Sequence, residues 1–138
     1  MKYRYINDLV IITTLPHYIG LYYTFDDFYY SLILILASSS SVLWHSKEDD
    51  EYLYIIDHVL ALSLSGYEIL NNNNEDDKYI AIYSNIFVLL INKLMDLLTF
   101  YNIVTYDFSH SLYHLFSSCK TVYIAYKKII KLELNLII

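Results

Sequence analysis

Proline occurs once and glycine twice in 138 residues. Folds built on many tight turns are thereby excluded, since these two residues supply most of the backbone conformations that such turns need. A membrane β-barrel, whose strands of about ten residues alternate polar and apolar between turns, is disfavoured on the same ground. Cysteine also occurs once, at Cys119, which excludes an internal disulfide and a thiolate metal cluster. Basic residues number nine against fifteen acids, a formal charge of −6, and they are scattered or lie near the chain ends. Phosphate recognition wants them clustered, so no nucleic-acid partner is expected.

Apolar side chains are what the chain has in excess. They make up 57% of it, more than a single soluble core of this length would bury. The expected fold class is all-α, a polytopic membrane helix bundle forming one domain over residues 1–138. Crossing a bilayer takes about twenty apolar residues. Five stretches approach that length, at 6–24, 27–45, 51–70, 79–98 and 106–126. They are separated by Asp26-Asp27, by SKEDD at 46–50, by NNNNEDDK at 71–78 and by the weaker FYNIVTY at 100–106. The expected location is therefore a membrane, multi-pass, with membrane lipids as partners. Lys2 and Arg4 precede a stretch that contains Pro16 and His17 and lacks a small-residue cleavage site, so it reads as the first membrane helix and not as a signal peptide. With five crossings the basic ends fall on opposite sides, and the positive-inside rule assigns no orientation. The seventeen tyrosines carry no catalytic assignment, although several stand near segment ends where aromatic belts form.

Ionisable residues inside membrane segments are costly and call for a functional explanation. In SSSSVLWH, Ser41 and His45 are four apart, and so share a face at the end of the second span. Asp57 lies two turns into the third span, and HSLYH places His110 and His114 four apart at the start of the fifth. Crossing directions alternate along the chain. The end of span two and the starts of spans three and five therefore lie on one membrane face, and these groups meet at one depth. Three imidazoles with an open fourth position form the ligand set of a catalytic zinc site. HSLYH lacks the glutamate of the H-E-x-x-H zinc proteases. Asp57, the carboxylate well inside a segment at the right depth, is then the candidate base.

Other polar groups have plainer expectations. His17, beside Pro16, reads as a hydrogen-bond donor at a kink, and His58 projects roughly 100° away from Asp57 round its helix. Asp107 suits either a bond to the His110 ring, fixing its tautomer, or a helix N-cap. Lys93 and Asp96 are spaced for an i,i+3 ion pair, Cys119 for packing, and Lys120 for a snorkelling side chain.

Ser41-x-x-x-His45, an aspartate twelve residues on at Asp57, and a late His110-x-x-x-His114 resemble the CREST superfamily of transmembrane hydrolases. That superfamily includes alkaline ceramidases, the PAQR receptors and the hemolysin III proteins. IIDHVLAL and HSLYHLF are similar to strings of the hemolysin III and PAQR branch, while the histidine-to-aspartate spacing is closer to the ceramidase branch, and both stay open. The resemblance covers about residues 38–65 and 107–117. It implies a membrane hydrolase fold with Zn2+ held by His45, His110 and His114, and with Asp57 and Ser41 contacting the water or the scissile carbonyl. It further implies a ceramide-like or acyl-lipid substrate. The family has seven helices where this chain has five expected spans, as if an even number had been lost between the third and the last. Such a loss preserves the direction in which the last helix enters, and a homo-oligomer would supply the missing wall. The function expected is thus zinc-dependent hydrolysis of an amide or ester bond in a lipid. The alternative is a non-catalytic receptor-like or structural membrane protein in which the metal staples the fold. A bis-histidine haem site ranks last, because it leaves Ser41 and Asp57 without a role.

Overall fold

The computed structural model describes residues 8–47, 50–72 and 74–137. They form six helices and no strand: α1 (Asp8–Thr14), α2 (His17–Thr24), α3 (Phe28–Ser46), α4 (Glu51–Leu70), α5 (Glu75–Phe100) and α6 (Tyr106–Ile137). Three of them, α3, α4 and α5, are long and apolar enough to cross a membrane.

Helix starts are written into the sequence. Asp27, Asp50 and Asn74 each stand just before a helix, and their side chains accept from Tyr30 N, from Tyr52 and Leu53 N, and from Asp76 N. This satisfies backbone donors that the helix itself leaves open. Thr105 Oγ1 does the same for α6 by accepting from Phe108 N at 3.3 Å. The acids Glu75, Asp76 and Asp77 fill the first turn of α5, where the helix dipole favours negative charge. Between α5 and α6 the chain reverses through Asn102, whose φ of 56° is a left-handed conformation that asparagine tolerates. The first expected span is divided, with α1 ending at Thr14 and α2 beginning at His17. Pro16 is the cause, since it has no N–H to donate back along the helix. The last expected span lies within the longer α6.

The principal packing pairs are α5 with α6 and α3 with α4, and α1 and α2 both lie against α6. Neither α3 nor α4 packs extensively on α6. Gly20 allows α2 to approach closely, because a Cβ there would meet Leu34 Cδ2 at 3.0 Å and Thr121 Cγ2 at 3.6 Å. Tyr30, Leu34, Ala37, Leu64 and Ala125 form the apolar core.

Polarity runs inside out. Among the described residues sixteen buried side chains are polar or charged and eleven are apolar, while Leu62, Leu70, Leu90 and Ile55 are each more than half exposed. Hydrocarbon is a better solvent for those surfaces than water.

Candidate metal centre

Because α3, α4, α5 and α6 alternate in direction, the end of α3 and the beginnings of α4 and α6 share one end of the bundle. His45 in the last turn of α3 meets His110 and His114 from the second and third turns of α6. Its Nε2 lies 2.9 Å from His114 Nε2 and 3.1 Å from His110 Nε2. His45 and His114 are buried and His110 partly so. A single proton can bridge one pair of such nitrogens, but not all three pairs at once. Three of them converging is the arrangement that a cation relieves. Tetrahedral ligation at 2.0–2.1 Å separates neighbouring nitrogens by about 3.3 Å, near the spacing observed. The three-histidine group can therefore hold a metal ion.

Aromatic rings enclose the cluster. Trp44 lies 4.4 Å from the His45 ring and 5.8 Å from that of His110, Tyr106 stacks on His110 at 5.2 Å, and Tyr113 meets His114 edge-on at 5.4 Å. The buried Nε1 of Trp44 and Oγ of Ser111 have no hydrogen-bond partner among the described residues. Buried polar atoms are seldom left so.

Asp57 is buried in the second turn of α4. Ser40 Oγ lies 3.2 Å from the Asp57 carboxyl and 2.9 Å from the Ala37 carbonyl oxygen, so its one O–H is shared between the two acceptors. Ser41 Oγ sits buried beside the same carboxyl, in a poorer hydrogen-bond geometry than Ser40. The hydroxyl bonded to Asp57 is that of Ser40, one residue before the Ser41 that the four-residue spacing pairs with His45.

The remaining polar expectations sort as follows. His17 is buried behind the centre, with Nδ1 2.9 Å from Ser118 Oγ and 3.2 Å from the Thr14 carbonyl oxygen, at the kink as expected. Ser118 also lies 2.6 Å from the His114 carbonyl oxygen, to which it donates. His58 is exposed, its ring tilted against that of Tyr54 with centroids 4.0 Å apart. Asp107 is exposed, and no hydrogen bond among the described residues joins it to His110; Thr105 takes the capping role. Lys93 and Asp96 pair at 3.0 Å on the surface, and Cys119 is exposed.

Lys120 departs from expectation. It does not snorkel but is buried, donating to Glu68 Oε2 and, at 2.9 Å, to Asn85 Oδ1. Glu68 went unnoticed in the sequence, because it stands three residues from the asparagine run and reads there as the wet end of a span. Yet its carboxylate is fully buried.

Comparison with protein-family models, curated proteins and solved structures gives no match.

Proposed function

We propose that this chain is a multi-pass membrane protein whose three-histidine centre holds zinc and serves the hydrolysis of an amide or ester bond in a membrane lipid. The observation that carries the reading is the approach of His45 Nε2 to within 2.9 and 3.1 Å of two histidine nitrogens on α6. The buried carboxyl of Asp57 accepts from Ser40, five residues before His45 on α3, which supports a role for it beside the histidines. Resemblance to the CREST superfamily in residue types, order and spacing supports the substrate class. The membrane reading rests on three span-length apolar helices. In it, α1 and α2 make one kinked crossing and α6 the last, for about five crossings in all.

His45, His110 and His114 would hold the metal through Nε2. Zinc so held supplies Lewis acidity and brings the pKa of water down to about 7. The chain's own residues do the rest. Asp57 takes a proton from the attacking water as general base, kept in its rotamer by the Ser40 hydroxyl. Ser41 Oγ–H, buried beside the same carboxyl, donates to the carbonyl oxygen as that atom gains negative charge. Trp44, Tyr106 and Tyr113 exclude bulk water from the rings.

A second reading has its own support. Because α3 and α6 share little packing, a metal joining His45 to His110 and His114 would act as a staple between them without turnover. Asp57→Ala in detergent-purified protein separates the two. Loss of lipid hydrolysis with zinc retained supports the enzyme, whereas absence of hydrolysis in the wild type with zinc bound supports the staple.

A further inference from the structure

Glu68 and Lys120 lie at the centre of a second polar layer. Tyr30 Oη from α3 and Thr121 Oγ1 from α6 donate to Glu68 Oε1 at 3.1 and 2.8 Å, and Asn85 of α5 receives the Lys120 ammonium at 2.9 Å. Four helices thus meet at one carboxylate–ammonium pair whose side chains are 0% and 5% exposed.

Three helices carry the same eleven-residue spacing between this layer and a polar residue at the histidine end of the bundle, which on α6 is the candidate ligand His110. Eleven residues separate Tyr30 from Ser41 on α3, Asp57 from Glu68 on α4, and His110 from Thr121 on α6. Eleven residues are three turns at about 3.67 per turn, so each pair stands on one helix face, about 16 Å apart along the axis. Apolar Leu34, Ala37 and Leu64 fill the space between.

From this we infer that Glu68 and Lys120 are positioning residues, which set the register of α3, α4 and α6 and so bring His45 opposite His110 and His114. The inference rests on the metal-site reading above. Its physical basis is that the lipid-facing leucines and isoleucines of these helices are non-directional and tolerate sliding. A one-residue slip moves a side chain 1.5 Å along its helix and about 100° around it. For apolar contacts that is a small change, but for Glu68 it would leave a charge buried without its partner. Neither α3 nor α4 packs extensively on α6, so polar side chains carry much of the specification between them. Fixing register is the best-attested use of a buried ionic group.

The test is cobalt(II) binding by the full chain in detergent, read by affinity and by visible absorbance per bound ion, which reports coordination geometry independently of the folded fraction. Wild type should bind one ion per chain with the intense absorbance of a tetrahedral site. Glu68→Ala and Lys120→Ala should each weaken binding roughly tenfold or more and lower the absorbance per bound ion. The paired neutral variant Glu68→Gln/Lys120→Gln, which leaves no lone charge, should recover most of both. Single variants with wild-type affinity and absorbance would overturn the register role alone. Wild-type protein that takes up no cobalt overturns the metal reading and this inference with it. If the charge variants do not fold, Tyr30→Phe decides, since it removes one hydrogen bond and leaves the pair intact. The same changes at smaller size support the inference, and no change overturns it.

Discussion

His45 and His114 stand sixty-nine residues apart in the chain, on helices that share little backbone packing, yet their Nε2 atoms are 2.9 Å apart. With His110 Nε2 at 3.1 Å from His45, α3 and α6 meet at this end of the bundle through nitrogens able to hold a metal. Side chains that would repel as cations and crowd as neutral rings are held together by the fold, and a bound cation gives them a reason to be there.

Removing a ligand should remove the metal. Replacing any one of His45, His110 and His114 with Ala should lower zinc affinity by two orders of magnitude or more, about 3 kcal/mol at 1.4 kcal/mol per tenfold. His58→Ala, which alters an exposed ring, should leave it unchanged. Elemental analysis after gel filtration in zinc-free buffer reads both.

Asp57 should matter for turnover and not for ligation. Asp57→Asn keeps the shape and the acceptor for Ser40 but cannot take a proton. It should retain zinc and lose about 10²–10⁴-fold in lipid hydrolysis. Ser40→Ala should lose less, because it frees the carboxyl to turn without removing it. Rates measured with ceramide and with an acyl phospholipid in mixed micelles test this and name the bond class.

Breaking the buried pair should destabilise the bundle. Lys120→Met leaves the Glu68 carboxylate unmatched and should cost about 3–5 kcal/mol, unless that carboxylate takes up a proton. Unfolding followed by circular dichroism should place Lys120→Met below both the wild type and the Glu68→Gln/Lys120→Gln pair.

Acid should loosen the far end of the bundle through Asp27. Burial alone would raise the pKa of its carboxyl, but the Lys128 ammonium at 2.8 Å, with Tyr67 Oη and the Tyr30 N–H, holds it below the usual carboxylate value. A carboxyl depressed in the folded state contributes stability above its unfolded pKa of about 3.9, and loses that contribution as pH falls through the lower folded value. The Asp27→Asn variant should be less stable than wild type at neutral pH, and the difference should shrink below about pH 4. Melting temperatures across that range check it.

Much of this arrangement could be read from residue order. Alternating crossings place the end of one span beside the start of the span two further on, and four-residue spacing puts paired side chains on one face; together these put His45 next to His110 and His114. Composition indicated an all-helical chain with apolar spans. What escaped was anything that depends on the partner helix. Glu68 looked like a span end and Lys120 like a snorkelling residue, because each is costly alone and the sequence does not say that they meet. Ser40 and Ser41 differ by one helical step, and only the position of α4 decides which hydroxyl bonds to Asp57. Pro16 was visible as a kink, and the chain does break there into α1 and α2, but that both lie against α6 was not legible.

The central claim is that three imidazoles from two separated helices hold one metal ion. X-ray absorption at the zinc edge, on the detergent-purified full chain, tests it most directly. One zinc per chain with three nitrogen neighbours at about 2.0–2.1 Å is the expected result. Protein without zinc, or zinc that persists with the same spectrum when His45, His110 and His114 are all replaced, would contradict it.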